Sequence, residues 1–317
     1  MPVTVLDCVF ERPTGPAPLL TLSAARLGVS VWPLFTGEVR INKGRVGPDT
    51  RLVVGDVVRV PPVRTGVPAE GTVPTPATRR AGTRLPILFE DDAILVVDKP
   101  AGVAVHGGSG ISSGVIEQLR QARPGAKFLE LVHRLDKETS GLLLIAKKRS
   151  ALVALQDQFR ERETGKTYAA LVVGAWPSRL KVIDLPLHKY LQADGERRVR
   201  VTTADDPEGM RSITLVKVRQ SVPARPLQGL PAMTLLEVTI KTGRTHQIRV
   251  HLASQGHPIV GDDKYGDFDL NKRLHKLGLK RMFLHAWRLQ FSHPATAERI
   301  TLNAPLPAEL AEFIPPA

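Results

Sequence analysis

HRLDKETSGLLLIA, residues 133–146, sets one carboxylate, Asp136, between Arg134 and Lys137, follows it with small polar residues, and ends in an uninterrupted apolar run. That run is far shorter than a membrane span of about 20 residues. With Ser140 and Gly141 ahead of it, it reads as a short strand buried on both faces. Asp136 then lies on the loop entering this strand, at a sheet edge, where backbone amides and the small residues Thr139, Ser140 and Gly141 can crowd it. An isolated loop aspartate is usually a turn former, so its surroundings have to decide whether it does chemistry.

Outward from this stretch the pattern alternates without becoming a regular βαβ repeat. ILVVDKP (94–100) reads as a second buried strand, and KTYAALVVG (166–174) and MTLLEVTIKTG (233–243) as further strands. In the last of these, Leu236, Val238 and Ile240 alternate with Leu235, Glu237, Thr239 and Lys241, the period of a strand with one buried face. Between the strands, Ser150 offers a cap for ALVALQDQFRERE, where Leu152, Leu155 and Phe159 fall at helical spacing. Thr245 offers a cap for HQIRVHLASQ, which Gly256 and Pro258 would end. Strands outnumber helices, so the expected class is α+β, built on a mixed, mostly antiparallel sheet.

The chain has 317 residues, 42% of them hydrophobic and 24% charged, enough to bury a core. Its 44 Lys and Arg against 31 Asp and Glu leave a formal charge of +13, which favours polyanionic partners whatever the fold. A single cysteine, Cys8, excludes an intrachain disulfide and a Cys-rich zinc site. No stretch reaches the roughly 18 apolar residues of a membrane span. The opening MPVTVLDCVFERPTGPAP lacks a basic head followed by an apolar run, so a soluble, cytoplasmic protein is expected.

Residues 61–86, PPVRTGVPAEGTVPTPATRRAGTRLP, carry six prolines with interspersed glycines and no apolar period, the composition of an extended linker. Ahead of it, residues 38–60 alternate like short strands, with Lys43, Arg45 and Arg51 along one surface. Residues 87–317 form the large C-terminal domain.

Common site classes fail against this sequence. Histidines 246, 251 and 257 lack the zinc-helix spacing and have no cysteine ligands beside them. GGSGISSG (107–114) has neither the Lys-Ser/Thr ending of a phosphate loop nor the spacing of a dinucleotide turn, and reads as a loop leading into a helix near VIEQLRQ. No Gly-x-Ser-x-Gly elbow is present. What remains is Asp136 with Arg134, Tyr168 and Arg249.

HRLDKETSG resembles the signature of the RluA family of RNA pseudouridine synthases. KPAGVAVHGG (99–108) is similar to the family's first motif, KTY (166–168) to its tyrosine motif, and TGRTHQIRVHLASQGHPIVGDDKYG (242–266) to its third, while FLHAWRLQFSHP (283–294) matches the closing strand region. Within the family the chain most resembles the RluC branch, which modifies large-subunit ribosomal RNA. That branch carries a small N-terminal RNA-binding domain with two basic helices ahead of its strands. Here PAPLLTLSAARLGVSVWPLFTG (16–37) stands in their place with one arginine, so only the strand half, from about Glu38, matches, and residues 1–37 are expected to pack poorly.

The resemblance implies isomerisation of uridine to pseudouridine with no cofactor and no metal. It makes Asp136 the carboxylate that acts at the sugar, either as nucleophile or as base. Arg249 becomes the ion-pair partner that keeps Asp136 charged, and Tyr168 the ring that faces the target base. The uridine must leave its stack to reach Asp136, and by family analogy Arg134 fills the vacated space. RNA contacts are expected from Arg134, His106, Arg244, Lys43 and Arg45. Further phosphate contacts are expected from 147–149, 197–200, Lys272, Arg273, Lys276, Lys280 and Arg281. The expected partner is RNA, ribosomal in this branch, with the protein acting as a monomer away from membranes. Two rival readings stay open: a tRNA substrate, and a non-catalytic RNA-binding or ribosome-assembly protein.

Overall fold

The computed structural model describes residues 6–9, 40–42, 44–45, 57–60, 85–107, 113–192 and 196–315. The chain divides into two compact units, Met1–Arg80 and Ala81–Ala317.

In the first unit, strands β1 (Leu6–Val9), β2 (Arg40–Ile41), β3 (Gly44–Arg45) and β4 (Val57–Val60) form one antiparallel sheet in the order β1-β4-β2-β3. β1 lies inside the segment expected to pack poorly, yet it pairs with β4 over four residues. The rest of residues 1–37 lies outside the described residues, as does most of the Pro-rich stretch 61–86.

The second unit is an α+β domain. In chain order it contains β5 (Ile87–Glu90), β6 (Ile94–Lys99), α1 (Val115–Ala122), β7 (Glu130–Leu131), β8 (Ser140–Ala146), α2 (Arg149–Glu161), β9 (Gly165–Val173) and β10 (Val182–Asp184). A hairpin follows, β11 (Leu187–Leu191) with β12 (Arg197–Val201). Then come β13 (Ile213–Val222), β14 (Met233–Ile240), α3 (Gln247–Ser254), α4 (Phe268–Lys276), β15 (Leu284–Ser292), β16 (Arg299–Asn303) and α5 (Ala308–Ala311). Ten strands make one sheet. Its main path runs β10-β13-β14-β9-β15-β8-β6-β5, with β16 added beside β15 and β7 beside β8. The late strand β15 enters the middle, antiparallel to β9 and parallel to β8, the one parallel pairing between described strands.

The two buried strands anticipated in the sequence are buried because the domain has a core on each face. Leu95 and Val97 of β6 and Leu143 and Ile145 of β8 point into one core, under α1, α3 and α4. Ile94 and Val96, with Leu142 and Leu144, point into the other, under Ala151 and Leu155 of α2. Each fully buried leucine contributes about 1.5–3 kcal/mol. β14 is covered on one face only and keeps the alternation read from its sequence, with Leu236, Val238 and Ile240 buried.

Both anticipated caps are displaced. α2 starts at Arg149 behind an extended Lys148, so Ser150 is already inside the first turn. α3 starts at Gln247 behind His246, which adopts a left-handed φ of 52°. No side chain caps this helix; Gln247 instead fastens the turn that leads into it. Its Oε1 accepts from Arg244 N and Thr242 Oγ1, and its Nε2 donates to Ile213 O and Thr214 Oγ1. A longer amide reaches both sides of the turn, which a threonine hydroxyl cannot do.

Candidate active site

The loop Val132–Thr139 runs back along β8 to that strand's start. Val132 N donates to Leu144 O at 3.1 Å, and His133 Nε2 accepts from Leu144 N at 3.1 Å. Burial pushes the His133 imidazole down to about 3, so it remains a neutral acceptor. A turn follows, closed by Thr139 N on Asp136 O. At its far side Gly141 passes so close to β15 that a Cβ there would meet Ala286 O at 2.3 Å, and its φ of +109° already requires glycine. The "SG" of the signature is therefore the contact that brings β8 against β15.

The loop is also fastened from below. Lys99, the last residue of β6, is fully buried. Its Nζ donates to Pro100 O, Val103 O and Lys137 O at 2.9, 2.7 and 3.0 Å, while Gly102 N donates to Lys137 O. Burial pulls this ammonium down to about 7. It ties the residue beside Asp136 to the segment that begins the first motif. The sequence reading passed over it because a lysine in a strand is ordinarily an exposed one.

Asp136, Tyr168, Arg249, Arg134, His106 and Arg244 all line one cleft of about 1010 Å³. Lys43 lies outside the described residues, and Arg45 is described only as a backbone partner of Arg40. Arg134 and His106 are exposed at the cleft, and Asp136 is part-exposed, its side chain retaining 29% of its accessible surface. Tyr168, mid-strand on β9 opposite Val238 and Ala286, is buried. Burial and, secondarily, the nearby Asp136 charge push its phenol well above the usual tyrosine range. It is a neutral phenol at any ordinary pH.

Arg249 pairs with Asp136 but has a second, closer partner. Its Nη1 lies 3.8 Å from Asp136 Oδ2, an ion pair but not a hydrogen bond. The hydrogen-bonded partner is Asp262, which the sequence reading did not single out. Nε and Nη2 of Arg249 donate to Asp262 Oδ2 and Oδ1, both at 2.7 Å. Asp262 Oδ1 also accepts from Lys264 N and Tyr265 N at 2.9 and 3.0 Å. Burial alone would raise this carboxyl, but the Arg249 hydrogen bonds and charge, with the two amides, hold it below the usual carboxylate range. The signal was the doublet Asp262-Asp263 after Gly261, although only packing decides which of the two turns inward. The Tyr265 ring lies 5.1 Å from the guanidinium, and its hydroxyl accepts from Val199 N and pairs with His246 Nδ1. Tyr265 thus links the β11–β12 hairpin to the start of α3.

Several of the cations expected to meet phosphate also hold carboxylates within the domain, Arg198 with Glu196 and Lys272 with Asp269 among them. Arg281, its side chain 12% exposed, donates to Ser140 Oγ and Glu309 Oε1. Lys147 bonds Glu90 and the Asp91 carbonyl. Among the described residues no cluster of His, Cys, Asp or Glu could hold a metal ion, and no helix is long and apolar enough to cross a membrane.

A part-exposed carboxylate, a guanidinium beside it and a protonated phenol facing a cleft of this size can attack or deprotonate a sugar carbon while a flat ring occupies the cleft. Residues 93–254, which run from β6 through α3 and build most of these walls, match the family described as RNA pseudouridylate synthase, and the chain belongs to that family. It is similar to two proteins named ribosomal large subunit pseudouridine synthase C. The one from Pasteurella multocida (strain Pm70) is 48% identical over 281 residues, 89% of this chain and 82% of the relative. The one from Escherichia coli (strain K12) is 49% identical over 275 residues, 86% of this chain and 82% of the relative. The solved human RNA pseudouridylate synthase domain containing 1 superposes with a TM-score of 0.57 at 28% identity, covering 70% of this chain and 83% of the human one.

Proposed function

We propose that this protein isomerises uridine to pseudouridine in large-subunit ribosomal RNA, with Asp136 as the reacting carboxylate. The convergence of Asp136, Tyr168 and Arg249 on one cleft carries the reading. The ribosomal substrate rests on the relatives' names. In the reaction the bond from N1 of the base to C1′ breaks, uracil turns within the cleft, C5 bonds to C1′, and the C5 proton leaves. Asp136 either adds to C1′ or removes the C2′ proton. Arg249 supplies the counter-charge beside it, and Tyr168 stacks on the base. The uridine flips out of its stack at a cost of a few kcal/mol. Arg134 enters the space it leaves, while His106 and Arg244 at the cleft, and Lys43 and Arg45 in the first unit, contact RNA. The protein works in the cytoplasm, as a monomer, with residues 87–317 as the catalytic domain, 38–60 as a partial RNA-binding domain and 61–86 as a linker.

The test is tritium release from large-subunit rRNA transcripts labelled at uridine C5. Wild type releases tritium and Asp136→Asn does not; equal release by the two would overturn the reading. A non-catalytic role would instead leave Asp136→Asn able to restore any deletion phenotype in full.

A further inference from the structure

Several cations line the cleft, and two of them are already matched by carboxylates. Arg249 is held by Asp262, and Lys264 bonds Glu196 Oε1 at 2.8 Å and Arg197 O at 3.0 Å. Lys166 differs. Among the described residues its ammonium has no hydrogen bond and no ion pair. It is half-buried on β9, and its Nζ lies 5.0 Å from the centroid of Phe159, whose other neighbour is the stacked His133 ring at 5.0 Å. Burial draws its ammonium below the usual lysine range, with no carboxylate to oppose that shift.

Such a group is costly to keep. An ammonium partly withdrawn from water, with only an aromatic face beneath it, is less well solvated than a free lysine and gains from an anion brought beside it. The space before it is open, because Gly243 faces it without a side chain and a Cβ there would come within 3.7 Å of Nζ. Lys166 and Tyr168 share a face of β9 and both line the cleft, two residues or roughly 7 Å apart along the strand. That span is comparable with the distance from a nucleoside's base to its flanking phosphate.

We propose that Lys166 binds a backbone phosphate next to the target uridine, so that Tyr168 receives the base while Lys166 fixes the strand that carries it. This rests on the function proposed above. A phosphate supplies the missing charge and acceptors together, whereas a uracil carbonyl would leave the ammonium without a counter-ion. The lysine is a binding and positioning group; no bond is made or broken at it.

The test measures RNA affinity against salt, using whichever RNA fragment the wild-type protein converts, so the outcome does not depend on that RNA being ribosomal. Lys166→Met keeps the stem over Phe159 and removes the charge. It is expected to weaken Kd about tenfold and to lower the slope of log Kd against log salt by about one. Lys166→Arg is expected to keep the slope. In the same fragment, a neutral methylphosphonate replacing the phosphate 5′ or 3′ of the target uridine should weaken wild-type binding at one of the two positions, with no further loss in Lys166→Met. Wild-type affinity indifferent to both replacements overturns the proposal without any variant. So does a Lys166→Met protein with wild-type salt slope, or one defective only in rate at saturating RNA, which would move Lys166 into the chemistry. Failure of the ribosomal reading registers separately, as pseudouridine missing from rRNA.

Discussion

Asp262 grips Arg249 through two hydrogen bonds of 2.7 Å, while the contact from Arg249 to Asp136 is 3.8 Å long. The three guanidinium nitrogens are divided, with two anchored to one carboxylate and the third presented to the other. Asp262 fixes where the cation is, and Asp136 stays free of a tight hydrogen bond to it. A carboxylate that must reach a sugar carbon gains from that arrangement, since its oxygens are not held by their counter-ion.

Breaking the clamp should cost stability and activity together. Asp262→Asn removes the buried carboxylate that Arg249 is hydrogen-bonded to and leaves it only the longer contacts to Asp136 and Asp263; removing one side of a buried ion pair costs about 3–5 kcal/mol. Urea unfolding should show that loss, and tritium release should fall with it. Unfolding indistinguishable from wild type would mean that the pair is dispensable.

Lys99 should matter through the loop, not through the reaction. Lys99→Met takes this donor from the carbonyls of Pro100 and Val103 and leaves Lys137 O only Gly102 N, at about 2–4 kcal/mol in all. The expected signature is faster hydrogen exchange across 136–140 with a lower rate and an unaltered RNA Kd. Exchange unchanged over that loop would refute the tether.

The phenol and the ring of Tyr168 should separate. Tyr168→Phe keeps the stacking face and should bind RNA like wild type, with a turnover reduced roughly 100-fold through loss of a neutral hydroxyl that relays the C5 proton without ionising. Tyr168→Leu should lose affinity as well. Because the phenol is held well above its usual range, no activity loss from its ionisation is expected on the alkaline side up to about pH 10.

Acid should destabilise the fold through His285. It is fully buried, its Nδ1 is hydrogen-bonded with Ser140 Oγ at 2.8 Å, and it is pushed down to about 4, chiefly by burial. The unfolded chain takes up this proton near pH 6.5 and the folded one does not. Stability from this group is therefore complete above about pH 6.5 and declines as pH falls towards 4, by about 1.4 kcal/mol per unit. His285→Asn retains a hydrogen-bonding partner for Ser140 and should flatten that dependence by one proton. Equal slopes in urea unfolding between pH 4 and 6.5 would contradict the assignment.

Much of the site was legible from residue order alone. Periodicity places Asp136 ahead of a doubly buried strand and Tyr168 within another, because alternation and apolar runs report local burial. The motifs around them identified the family. The partners of two basic residues were not legible, for a common reason. Arg281 and Lys147, counted with the basic surface, are engaged by Glu309 and Glu90, partners 28 and 57 residues away that local composition cannot reveal. The cap expected at Ser150 was misplaced because α2 begins one residue earlier, at Arg149, and the one at Thr245 because α3 begins at Gln247, which bonds β13 as well as its own turn.

Sequence by itself determined the four strands that carry and flank the site, the class of fold, the aspartate-bearing loop and the chemistry to which its motifs belong. All of these follow from neighbours in the chain or from a pattern shared across a family. Only the tertiary structure decided that Asp262 and not Asp263 turns inward, that Lys99 is drawn beneath the loop, and that Lys166 is left unmatched. Pairing and desolvation are properties of groups brought together from distant segments, and no single segment carries them.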